Sequence, residues 1–344
     1  MFDSLGGLPS VYSDSMVKRL DELIVEKKPA WAIGNEMDEL SLKELVRNSE
    51  YRKKFWDTIK HAGVTGVSAT VGALSGPFPF TYENAVRDLA KWTYLFDVLK
   101  DMFIKVLRMK DVQRAKTDGK FAVLLNFQNT AHIGNDLNNI EFFYYTGIRQ
   151  IQLTYNTRNL VGDGCTERTG AGLSNLGLEV VDRMNKLGIL IDLSHCGHKT
   201  VMDAIEASND PVIFSHTNCY ALCKHNRCKT DEEIMAVAEK GGYVGLTIVP
   251  FFVSEKENAV FDDFLDHVDH VVELVGVDYV GIGTDDSGQT DVPKQLSDLY
   301  TSLLSTIGFR PEHRAHFGVS TQGFEHYIDW PNFTRGLVSR EYSG

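Results

Sequence analysis

Several things are missing from this sequence, and each absence narrows its interpretation. No run of about 18 apolar residues occurs, so no membrane-spanning helix is expected. Met1–Pro9 lacks the basic-then-apolar order of a signal peptide. Positive charge is in deficit: 47 Asp and Glu face 35 Lys and Arg, a formal charge of -12. That balance argues against nucleic acid and anionic membrane surfaces as partners. No repeat, low-complexity tract or Pro/Gly linker divides the chain. Cysteine is scarce and odd in number, with five in all. That is a poor basis for a disulfide framework and fits reduced thiols in a cytoplasmic protein.

What is present is a regular alternation. The chain has 344 residues, 43% of them hydrophobic, ample for a large core. Length alone suggests two domains, but α/β barrels of this size commonly form one. Apolar, β-branched-rich runs read as strands at Gly63–Val71, Phe121–Phe127, Ile148–Tyr155, Ile189–His195, Pro211–His216, Tyr243–Val249 and Tyr279–Asp285. Helical patterns separate them at Glu83–Met109, Asn139–Thr146, Glu179–Leu187, Lys199–Ser208, Asp231–Lys240 and Asp262–Val275. An eighth strand fits only at Phe2-Asp3, where it must be very short or clipped. The expectation is an α/β fold, a (β/α)8 TIM barrel. It forms one domain over residues 1–344, with extra helical material near 10–60.

Two strand ends carry the most information. Ile189–Leu193 runs into Ser194-His195, and Pro211–Phe214 runs into Ser215-His216. A helix-like stretch lies between, so the two strands form a βαβ unit and lie parallel. Both imidazoles then stand at the C-terminal ends of neighbouring strands, where α/β barrels do their chemistry. Two such histidines are a natural start for a zinc site. Other strands end in Gln128, Tyr155 and Asp285, each a polar side chain at the same rim.

These stretches resemble the membrane (renal) dipeptidase family of the amidohydrolase superfamily. The similarity runs through Met184–His195, Pro211–His216, His225-Asn226-Arg227, Gly241–Gly245, Asp278–Asp285 and Trp330–Thr334. The resemblance implies a site with two zinc ions. A His-x-Asp closes strand one, a bridging Glu closes strand three, and histidines close strands five and six. A strand-four histidine meets the substrate, an arginine binds its carboxylate, and a strand-eight aspartate moves protons. His195, His216, Arg227 and Asp285 match this pattern. Leu5 and Gly7 stand where the His-x-Asp belongs, Gln128 where the Glu belongs, and Tyr155 where the strand-four histidine belongs. The family's final helix is not expected after Gly344.

The departures set what the resemblance implies here. Leu5 and Gly7 offer no donor atoms, and Gln128 is neutral and a poor zinc ligand. At most one divalent metal, expected to be zinc, is therefore implied at His195 and His216, with Asp285 near enough to complete the set. The implied function is a metal-dependent, dipeptidase-like hydrolase cleaving the amide of a dipeptide or small N-acyl amino acid. Asp285 is the catalytic acid–base, and Arg227, Tyr155 and Gln128 contact a small substrate bearing a carboxylate. Homo-oligomerisation stays open. Two alternatives stand beside this reading. One is an eroded homologue acting as a binding protein. The other is a non-hydrolytic enzyme, such as a lyase or a thiol catalyst using Cys165 and Tyr155 on a small amino-acid derivative. The residues also have structural alternatives: buried, hydrogen-bonded histidines, a surface-paired Arg227, a core Tyr155, and an Asp285 that caps the next helix.

Overall fold

The computed structural model describes residues 1–9, 11–72, 80–285 and 294–342. Among the described residues nine strands occur: β1 Phe2–Asp3, β2 Gly66–Thr70, β3 Phe103–Lys105, β4 Phe121–Phe127, β5 Ile148–Gln152, β6 Leu190–Asp192, β7 Val212–Thr217, β8 Val244–Leu246 and β9 Val280–Ile282. Eight run parallel in the order β1-β2-β4-β5-β6-β7-β8-β9, and β3 pairs with β4 off this path. The ring closes where Ser4 N donates to Ile282 O at 2.9 Å and Asp285 N donates to Leu5 O at 2.9 Å. This is the expected (β/α)8 barrel, and its first strand has two residues.

Local sequence explains how the strands are held in place. β4 is buried almost throughout, because helices cover one face and the barrel interior the other. Glycine lets β9 approach β7: a Cβ on Gly283 would meet Ser215 O at 1.9 Å. The returning helices are punctuated in the ordinary way. Thr230 and Glu233 form a capping box at the start of Asp231–Glu239, and Gly188, with φ 71°, ends Asn175–Leu187. Between β1 and β2 stand three further helices, Asp14–Val25, Ala30–Arg47 and Ser49–Ala62. The Trp330-Pro331-Asn332-Phe333 motif is a packing device. Trp330 and Phe333 are fully buried against Phe264 and Phe324, and Pro331 opens the helix Pro331–Ser339.

One sequence expectation is corrected. Glu83–Met109 is not a single helix. It divides into the helix Tyr82–Val98, the strand β3, and the start of a second helix, Met109–Asp118. Phe103, Ile104 and Val106 are all buried. Their β-forming, apolar run gains more by pairing with β4 than by continuing a helix whose far side faces water.

Candidate functional site

The C-terminal strand ends open on a cavity of about 340 Å³. Gln128 after β4, Tyr155 after β5, His195 after β6 and Asp285 after β9 all line it, as do Leu5 and Gly7 after β1. His216, on β7, lies directly behind His195, with the two Nε2 atoms 2.9 Å apart.

The hydrogen bonds on the far side of each ring fix its tautomer. Asn156 Nδ2 donates to Ile307 O at 2.8 Å, so Oδ1 faces His195 and accepts from Nδ1–H at 2.7 Å. The Ser215 hydroxyl donates to Asp192, so it accepts from His216 Nδ1–H at 2.7 Å. Asp192 is itself locked in place, since it also accepts from Ser194 N, Ser194 Oγ, Ser215 N and Gln150 Nε2. Both Nε2 atoms therefore carry lone pairs, and they point at one another. Two bare acceptors at that distance repel unless a cation lies beside them. A proton is a poor candidate. Burial, reinforced by the nearby Arg227 charge, holds both imidazoles well below their ordinary pKa. The donor set fits one divalent metal: neutral imidazoles, each oriented through its second nitrogen. Among the described residues no cluster of three His, Cys, Asp or Glu exists, so Asp285 shares the cavity without joining the pair as a third ligand.

Arg227 departs most from expectation. It is fully buried, and its guanidinium donates to Ser194 O at 2.6 Å and His216 O at 3.0 Å. It clamps the ends of β6 and β7 behind the histidines rather than lining the cavity, so the structure does not bring it to a substrate carboxylate. No ion pair with a surface acid forms either among the described residues. Tyr155 stacks on His195, ring centroids 4.0 Å apart. Burial, then the Asp285 charge, pushes its phenol up, so it remains a donor. Gln128 Nε2 donates to Thr70 Oγ1 at 2.9 Å, whereas its buried Oε1 has no partner. Asp285 adopts the left-handed region, with φ 56°. The helix it was suggested to cap would begin outside the described residues.

Residues that the sequence reading missed support the histidines from behind: Asn156, Asp192 and Ser215. Asp192 had a signal, an acid inside an otherwise apolar strand. Asn156 had none, because its role depends on a left-handed backbone, φ 57°, that no motif announces. Asp3 is likewise buried, and accepts from Thr284 N and Oγ1 at 2.9 and 2.6 Å. The cysteines are all free. Burial raises the Cys165 thiol, which disfavours a nucleophilic thiolate there.

Comparison with known proteins finds relatives in sequence and in structure. A family model described as membrane dipeptidase, peptidase family M19, matches residues 81–309. An uncharacterized dipeptidase of Schizosaccharomyces pombe is 33% identical over 200 residues, 56% of this chain and 48% of its own length. Dipeptidase tcpJ of Claviceps purpurea is 29% identical over 236 residues, 67% of this chain and 54% of its own. The chain thus spans about half the length of the curated relatives it matches. Among solved structures, an amidohydrolase from Pseudomonas aeruginosa is 32% identical with a TM-score of 0.74, covering 85% of this chain and 86% of that one. A metallo peptidase from Rhodobacter sphaeroides, liganded with a phosphinate mimic of a dipeptide, is 20% identical with a TM-score of 0.69. It covers 88% of this chain and 91% of its own, and at that identity it speaks for the fold alone.

Proposed function

Because the chain belongs to the membrane dipeptidase family, peptidase family M19, we propose that it is a dipeptidase-like hydrolase cleaving the amide bond of a dipeptide or small N-acyl amino acid. His195 and His216 would hold one divalent metal, with zinc the natural choice for two imidazoles. The observation that carries this reading is the convergence of their Nε2 lone pairs at 2.9 Å. When bound, such a metal supplies Lewis acidity to an amide carbonyl and to an attacking water.

The remaining chemistry falls to the chain's own groups. Asp285, on the cavity wall, takes the proton of the attacking water and returns it to the departing nitrogen. Tyr155, kept protonated by burial, donates to the carbonyl oxygen as negative charge develops there. Asn156 and the Ser215–Asp192 pair hold the imidazoles neutral and correctly turned. Arg227 fixes the backbone on which they stand. Five free cysteines support a reducing, cytoplasmic setting.

A second reading, a binding protein that keeps the cavity without hydrolysis, is favoured by the lack of a third ligand among the described residues. Metal titration followed by a hydrolysis screen of dipeptides and N-acyl amino acids separates the two. Metal binding with turnover supports the hydrolase. Saturating metal with substrate binding and no turnover supports the binding protein.

A further inference from the structure

The cavity has two unlike walls. On one side stands His195, with its partner behind it. On the other, Leu5 and Gly7 follow β1 and Gln128 follows β4, where the family pattern would place ligands of a first metal. We propose that this second wall is a subsite for a bulky apolar group, preferably aromatic, carried by an amide substrate whose N–H is accepted by Gln128. The inference rests on the cavity being the substrate site.

Three observations carry it. Leu5 and Gly7 line the cavity and bring no polar side chain to that wall. Leu8, Trp92, Phe251, Phe252 and Phe317 line the same space, and among the described lining residues none is Lys or Arg. A charged group finds no opposite cation among the described lining residues, whereas a ring finds apolar and aromatic neighbours, with Phe252 on the Arg227 side, 5.2 Å from the guanidinium. Finally, Gln128 is only 4% exposed, and its Oε1 has no partner while Nε2 is committed to Thr70. A buried acceptor left open is costly, and a ligand N–H at this place satisfies it. The volume, about 340 Å³, sits near the lower end for small-molecule pockets. It accommodates a single substituted amide and not an extended peptide.

The test is calorimetry with two probes, N-acetyl-L-phenylalaninamide and N-acetyl-L-alaninamide. The phenylalanine compound should bind at least about 10-fold more tightly, the scale on which apolar pockets discriminate. Equal affinities, or no binding of the phenylalanine compound, would overturn the proposal. Gln128→Leu should weaken the phenylalanine probe about 10-fold, as expected when a buried hydrogen bond is lost; unchanged affinity removes Gln128 from the subsite. Leu5→Asn should bring the two affinities close together. Because Leu5 is buried, Phe251→Ala serves as a second variant with the same expected loss of preference, and a preference preserved in Phe251→Ala counts against the subsite. Turnover is followed separately. The expected binding order, with no turnover of dipeptides, N-acyl amino acids or either probe, defeats the hydrolase and leaves the subsite standing. Cleavage of both probes with equal affinity defeats the subsite and leaves the hydrolase.

Discussion

The β6–β7 side of the site and the β1–β4 side are built from the same kind of element, a parallel strand ending at the barrel rim, yet they are finished differently. On the first side the histidine rings and their supports are hydrogen-bonded, and Arg227 Nε is the buried atom there left without a partner. His195 leans on Asn156, His216 on Ser215 and Asp192, and Arg227 ties the two strand ends together. On the second side Leu5 and Gly7 contribute no polar side chain, and Gln128 leaves an oxygen unpartnered. Supporting hydrogen bonds orient ligands and tune them. On the reading proposed here, their density on one side and scarcity on the other assign the chemistry to the histidines and substrate recognition to the apolar wall.

The largest expected effect of breaking this asymmetry comes from Arg227→Met. It strips the donors from Ser194 O and His216 O, each a hydrogen bond to a charged group worth about 1.5–3 kcal/mol. Chemical denaturation should show a loss of several kcal/mol. A loss below about 1 kcal/mol would mean that the clamp is dispensable.

Asp285→Asn acts at the seam between the two walls. It keeps the shape and removes the basicity, so kcat should fall about 10²-fold or more, the range of general acid–base catalysis. Melting temperature should hold, since the residue faces the cavity. Intact turnover would assign the proton transfer elsewhere.

Ser215→Ala cuts the link between His216 and Asp192. Metal affinity should drop about 10–100-fold, the usual cost of losing such a supporting partner. An unchanged affinity in a metal titration would show that the tautomer needs no such anchor.

Gln128→Leu, on the opposite wall, is the smallest. Metal affinity should stay within about 2-fold and stability should fall by no more than about 1.5 kcal/mol, the cost of the one hydrogen bond to Thr70. A loss of metal affinity comparable to that of Ser215→Ala would erase the distinction between the walls.

The sequence makes some of this legible and hides the rest for physical reasons. A parallel barrel strand is an apolar run that ends at a functional rim, so Ile189–His195 and Pro211–His216 declare both the strand and the site. β1 is nearly invisible, because two residues carry no periodicity. β3 is hidden inside a helical pattern, because its role comes from pairing with β4 across an intervening helix. Arg227 is identifiable as a charged residue near the site but not as a clamp. Whether a guanidinium faces a cavity or two backbone carbonyls depends on how the loop after β7 folds back. The tautomers of His195 and His216 require distances among Asn156, Ile307, Ser215 and Asp192, residues spread over half the chain.

The central claim is one metal at the paired histidines. Isothermal titration of the purified, metal-stripped chain with zinc, repeated on His195→Ala, tests it most directly. The account predicts a single site per chain in the parent and none in the variant. Two sites in the parent, no binding in the parent, or a site that survives in His195→Ala would contradict it.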